Sequence, residues 1–266
     1  MDKSTLKIKK KIDSLKTHSE KNKFIHNKYS GKTCYIISCG PSLKDFDFSD
    51  LKERLKDELV ICIKQSYDIL KDVCDFHIYN CGNYKNYDYN NSKAMTVECT
   101  SYEQLLNEKC DFKYVIKERA FSRTLSISKN FDFWDLSNYS NQNIRPYGPG
   151  IMYEIVFYFA QHLGVKEIVT LGWDNTLNKK DDQKGYHFYD YDGYDNIKEH
   201  ITHNSVDENP VAVSSLALEA SITSDCIIDW YFWLNSKGVE LKIISDINPA
   251  TKKIPRIDME EFLGHE

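Results

Sequence analysis

Short apolar runs rich in β-branched residues recur along the first half of the chain. Each stops at a small or polar residue and gives way to a stretch with helical spacing. Cys34–Ser38 is the first run, ending at Gly40-Pro41-Ser42, and Ser49–Lys56 follows as a helix entered through acidic and Ser caps. Leu59–Ile63 is the next strand, Tyr67–Lys71 a short helix or turn, and Phe76–Tyr79 a third strand ending at Asn80-Cys81-Gly82-Asn83. Ala94–Cys99 and Lys113–Ile116 read as further strands around a short helix near Tyr102–Asn107. Later, Ile151–Leu163 predicts an apolar helix closed by Gly164, and Lys166–Leu171 a strand ending at Gly172-Trp173-Asp174. A long helix over Val211–Leu234 then precedes Gly238 and a last strand, Val239–Ile244. This alternation predicts an α/β fold: a Rossmann-like, doubly wound, mostly parallel sheet with helices on both faces.

Two stretches break the pattern and read as lid-like insertions, residues 117–145 and 178–208. Residues 1–30 stand apart by charge, with nine lysines against three acids and Leu6, Ile8, Ile12 and Leu15 loosely at helical spacing. They read as a solvated basic helix or frayed leader, or as a basic surface that meets an anionic membrane or a partner. Residues 31–266 are expected to form a single domain, since α/β domains of this length are common.

Composition narrows the classes. A formal charge of −5 and a pI near 5.9 argue against a general nucleic-acid binder. No apolar run reaches about 18 residues, and the lysine-rich start lacks the apolar core of a secretory signal. The expectation is a cytoplasmic protein, peripheral at the inner face of the membrane under the second reading of residues 1–30; assembly into a homo-oligomer is left open. The eight cysteines show no CxxC pair, so buried free thiols are expected rather than disulfides or zinc.

Chemistry concentrates at the strand ends. After the first strand, Gly40 permits close approach of a ligand, Pro41 stiffens the turn, and free N–H groups ahead of a helix favour phosphate. The same residues also fit ordinary turn chemistry. Gly148 and Gly150, before the apolar helix, offer a second such turn. Asp174 is expected to point into the crevice at the carboxyl ends of the strands, or to cap a turn. His187, His200 and His203 carry imidazoles suited to proton transfer. Tyr186, Tyr189, Tyr191 and Tyr194 supply phenols able to hydrogen-bond phosphate. Asp181, Asp182, Asp190, Asp192 and Asp195 lack the spacing of a cation loop, and no metal site is expected from them.

Three blocks, IISCGPSLKDFDFSDL, the Tyr79-Asn80 strand end and GPGIMYEIVFYFAQHLGVKEIVTLGWD, together resemble two related groups. These are the bacterial CMP-sialic acid-dependent sialyltransferases and the motility-associated-factor and hydroxymethylpterin diphosphokinase proteins. The resemblance covers roughly residues 33–80 and 145–175. It implies a glycosyltransferase that moves a sugar, sialic-type from a CMP-sugar, from a nucleotide-sugar donor to a glycan or glycolipid acceptor. The nucleotide would lie over Ser38, Cys39, Gly40, Pro41 and Ser42, with Lys64, Asn80, Gly148, Gly150, Asp174, Tyr186 and Tyr189 around it. Cys39 stands where the sialyltransferase pattern has Asn, and Lys64 or Gln65 falls near a second Asn; Asn80 matches the third. His203 is the best positional match to the family's base, with His187 its rival. No cofactor is implied, the nucleotide-sugar being a substrate. The alternatives are an ATP-dependent pterin diphosphokinase, which would need Mg²⁺, and a nucleotide-binding protein of the same fold without catalysis.

Overall fold

The computed structural model describes residues 3–80, 87–100, 109–115, 151–174, 187–198, 226–248, 250 and 252–264. Its strands are β1 (Thr33–Ile37), β2 (Leu59–Ile63), β3 (Phe76–Asn80), β4 (Met95–Thr100), β5 (Phe112–Val115), β6 (Glu167–Leu171) and β7 (Glu240–Ile244). They form one seven-stranded sheet in the order β5-β4-β3-β2-β1-β6-β7, with every pair parallel. The expected α/β Rossmann-like architecture is therefore present, and among the described residues every strand pair is parallel.

The near-continuous apolar strands follow from burial on both faces. In β1, Cys34 and Ile36 pack into one layer while Tyr35 and Ile37 pack into the other. The first layer holds α1 (Lys3–Ser14), α2 (His18–Ile25), α5 (Phe157–His162) and α7 (226–236). The second holds α3 (Phe48–Leu55), α4 (Ser66–Leu70), α6 (Asp195–Lys198) and α8 (Met259–Leu263). Asp47 caps α3 by accepting the Ser49 and Asp50 N–H groups, and Leu51 and Leu55, one turn apart, bury its inner side. The apolar stretch predicted as one helix over Ile151–Leu163 is helical but enters through a π-wound turn, Met152–Val156, ahead of α5. Buried on all sides, it carries Tyr153 and Phe157 against Trp173 and Trp230.

Residues 1–30 hold two helices, α1 and α2, that dock on the sheet through their apolar side rather than standing in solvent. Ile12 and Ile25 are fully buried in the first layer, and Asn22 Oδ1 accepts the Tyr114 hydroxyl at 2.6 Å. Thr5 of α1 bonds the buried Asp75 carboxylate, and Lys9 reaches the Ala94 carbonyl at 3.2 Å. A capping box between Thr17 and Glu20 starts α2. Helical spacing on the apolar side thus docks the segment on the sheet, while Lys7, Lys10, Lys11, Lys16, Lys23 and Lys28 remain exposed.

Cys34, Cys39, Cys62, Cys74, Cys99, Cys110 and Cys226 are buried, as expected, and no disulfide joins them among the described residues; Cys81 lies outside the described residues. So do the stretch near 102–107 predicted as a helix, the insertion at 117–145, all of 211–225 and most of 178–208. Among the described residues no helix is long and apolar enough to cross a membrane.

Candidate functional site

The strand order reverses beside β1: the chain steps outward through β2 to β5, then returns to the other side of β1 as β6. At such a point the loops leaving neighbouring strands diverge, and open α/β sheets take ligands in the crevice there. Here the two loops are Ser38–Ser42 and Gly172–Asp174.

These loops touch through backbone. Gly40 N–H donates to the Gly172 carbonyl at 2.7 Å, and Ser38 N–H to the Leu171 carbonyl at 2.8 Å. A Cβ on Gly40 would lie 2.4 Å from the Gly172 oxygen and 2.4 Å from Asp174 Oδ2. Gly40 has φ −67, open to any residue, so close approach rather than backbone freedom demands glycine. Gly40→Ala is expected to cost about 3 kcal/mol, the upper end of overpacking penalties, because its obstacles are a backbone carbonyl and a firmly held carboxylate. Urea denaturation measures it; unchanged stability would contradict the contact.

Asp174 is 2% exposed and closes the turn. Its Oδ2 accepts the Ser42 N–H at 2.7 Å, and its Oδ1 accepts the Ser42 and Ser245 hydroxyls at 2.6 and 2.5 Å. Ser245 is held in turn by Arg256, which donates to its carbonyl and to those of Asn248 and Ala250, while the Asn248 amide donates to the Trp173 carbonyl. This changes the role expected of the Gly40-Pro41-Ser42 turn. Gly40 N–H goes to Gly172, Pro41 has none, Ser42 N–H goes to Asp174 and Leu43 N–H to Gly40. The free amides that were to hold phosphate are engaged, with the protein's own carboxylate as the bound anion.

Cys39 is likewise turned inward. Its thiol donates to the Ile63 carbonyl at 3.1 Å, and burial pushes its pKa up to about 12. It meets the crevice through its carbonyl, which accepts the Phe188 N–H at 2.9 Å. That bond lays the segment 187–198 over the turn, with Phe188, Tyr189 and Ile197 buried. His187 stacks on Tyr189 at 4.7 Å, its ring Nδ1 is 3.5 Å from Asp190 Oδ2, and its side chain is 47% exposed. Burial raises the Tyr189 pKa, so its phenol stays protonated.

Lys64 follows β2 at the same edge. It is half-buried, and its ammonium makes no ion pair or hydrogen bond among the described residues. Its charge acts on the Cys39 thiol, partly offsetting burial. Asn80 ends β3, two strands from β1, about 10 Å at ordinary strand spacing. The fold thus brings the ends of β1, β2, β3 and β6 to one edge, with Ser38–Ser42, Lys64, Asn80, Asp174 and the His187–Tyr189 segment along it. Gly148, Gly150, Tyr186, His200 and His203 lie outside the described residues.

Ser66, Ser245, Asn248, Arg256 and His77 support this edge without having been singled out from the sequence. The one signal for Ser245 was its place after the last apolar strand. His77 sits inside an apolar strand and offered no signal at all.

These features define a Rossmann-like α/β protein in which the loops leaving β1, β2, β3 and β6 gather at the carboxyl edge of the sheet. Comparison with protein-family models, with curated proteins and with solved structures returns no match.

Proposed function

We propose that this crevice binds a nucleotide-sugar and that the chain is a glycosyltransferase moving a sialic-type sugar from a CMP-sugar onto a glycan or glycolipid acceptor. The observation that carries the reading is the half-buried Lys64 ammonium, unpaired among the described residues, at the edge of the strand-order reversal, with the Tyr189 phenol and the His187 ring on the segment that covers the neighbouring turn. A cation and a phenol there suit a phosphate that gains negative charge as it leaves. With the turn's amides already engaged within the protein, phosphate recognition passes from backbone to these side chains.

In the proposed reaction the acceptor O–H loses its proton to an imidazole as its oxygen attacks the anomeric carbon. The bond from that carbon to the donor phosphate oxygen breaks, and the nucleotide leaves with the electron pair. His187 offers Nε2 for the proton, with Asp190 beside Nδ1 to orient the ring; His203 is the rival base.

Thermal shift with CMP, CDP, UDP, GDP and ATP, each with and without Mg²⁺, tests the reading. A ligand at a hundredfold excess over its Kd stabilises by about 2.7 kcal/mol, roughly 5–10 °C for a chain of this size. Stabilisation by CMP without Mg²⁺ is expected. A shift with ATP alone, dependent on Mg²⁺, would transfer the site to diphosphoryl transfer, and no shift with any nucleotide would reject a nucleotide site.

A further inference from the structure

Lys64 is held in an uncommon backbone conformation. Its φ is +48, in the left-handed region that favours glycine or asparagine and that a lysine occupies only when its surroundings impose it. Non-glycine residues kept there cluster at functional sites, because the arrangement aims a side chain that relaxed backbone would turn elsewhere.

Both peptide groups of Lys64 are pinned. Its N–H donates to the Ile78 carbonyl at 2.9 Å, and its carbonyl accepts the Tyr67 N–H at 3.2 Å. The same carbonyl lies 2.9 Å from His77 Nε2, while His77 Nδ1 lies 2.7 Å from the Tyr89 hydroxyl. A carbonyl only accepts, so Nε2 carries the ring proton and Nδ1 accepts from Tyr89. His77 is fully buried; Tyr67 stacks on it at 4.3 Å and Tyr87 meets it edge-on at 4.5 Å. Ring orientation and tautomer are therefore both determined. Ser66, bonded to Ile37 and Ile63, fastens the rest of the loop to β1 and β2.

We infer that His77 is a positioning residue for Lys64: fixed by Tyr89, it holds the Lys64 carbonyl and so keeps the strained backbone that presents the ammonium to the phosphate of a bound nucleotide. This rests on the nucleotide reading of the crevice. Burial alone obliges both ring nitrogens to find partners; what ties His77 to Lys64 is that its N–H is spent on the carbonyl of the residue held at φ +48.

The test measures CMP affinity by calorimetry in the unsubstituted chain and in four variants. His77→Gln keeps an N–H where Nε2 stood and is expected to bind within about twofold. His77→Leu fills the space without a donor and is expected to lose about tenfold or more, the worth of one strong hydrogen bond. Leu55→Ala, a core change in α3 away from the loop, controls for lost stability and should bind as the unsubstituted chain does. Lys64→Gly removes the ammonium and the strain together, so affinity should fall by a similar factor while the Tm holds or rises. Unchanged affinity in His77→Leu, or a loss in Leu55→Ala matching that in His77→Leu, overturns the positioning role and leaves the nucleotide reading standing. Failure of the unsubstituted chain to bind any nucleotide overturns both.

Discussion

Stability is expected to fall steeply as the pH drops from about 6.5 toward 4, because three histidines are folded in as neutral groups. Burial lowers the His77 pKa to about 3; it lowers His18 to about 4, aided by repulsion from Lys21 and Lys113. Burial likewise brings His162 to about 4, against the opposing effect of its bond to the Asn22 carbonyl. Geometry agrees at His18, where Nδ1 accepts the Lys113 N–H at 3.2 Å and protonation would set a donor against a donor. The sign follows from proton counts. Below about 6.5 the unfolded chain takes up a proton at each ring that the folded chain refuses, so this stability is complete above 6.5 and lost on acidification. Each ring contributes about 1.4 kcal/mol per pH unit while its folded form resists, roughly 4 kcal/mol per unit for the three. Asp75 works the other way: burial raises its folded pKa, so it gains a proton first in the folded state. One such group does not offset three. Urea titrations at about pH 7, 5.5 and 4.5 read the slope, and a flat profile would mean that these rings are solvated. Since His18 lies in α2 and His162 bonds the Asn22 carbonyl of the same helix, amide exchange should show that helix releasing first.

Lys93→Met is expected to cost about 3–5 kcal/mol at neutral pH, the usual penalty for stranding one partner of a buried ion pair. Lys93 and Asp75 have side chains only 4% and 2% exposed, 3.3 Å apart. The carboxylate also accepts the Val60 N–H at 3.0 Å and the Thr5 hydroxyl, so it joins the start of β2, α1 and the loop before β4. Without the ammonium its charge stays buried on those two donors alone, and its pKa should rise further. The deficit should therefore shrink on mild acidification, opposite in sign to the histidine effect. Adding Asp75→Asn removes the stranded charge while retaining an acceptor for Val60, and should recover most of the loss. Equal urea midpoints for Lys93→Met and the unsubstituted chain would show that the pair is hydrated.

Strand positions were legible because burial on both faces leaves an apolar run whose ends are marked by small residues. Leu59–Ile63 appears as read, and β1, β3, β4, β5, β6 and β7 shift by a residue or so where the last hydrogen bond, not the last apolar side chain, ends the strand. The switch-point loops were legible for the same reason: Gly40-Pro41-Ser42 and Gly172-Trp173-Asp174 each interrupt such a run. Residues 1–30 are legible as helical and basic, but lysines dominate their composition whereas Ile8, Ile12 and Ile25 decide their packing.

What the loops do with their polar groups was not legible. Whether a turn's amides await a phosphate or accept a carboxylate depends on what lies opposite, and Asp174 is brought there by β6, 132 residues along the chain from Ser42. His77 reads as one polar residue in an apolar strand until β2 and the segment around Tyr89 supply its two partners. The amino-acid sequence by itself determined the elements, their alternation and hence the parallel α/β sheet, since periodicity and local turn chemistry act over a few residues. Only the tertiary structure decided that the Gly40–Ser42 turn is already filled and that the Lys64 ammonium stands without an ion pair among the described residues, because hydrogen-bond partners far apart in the chain are chosen by the register of the sheet.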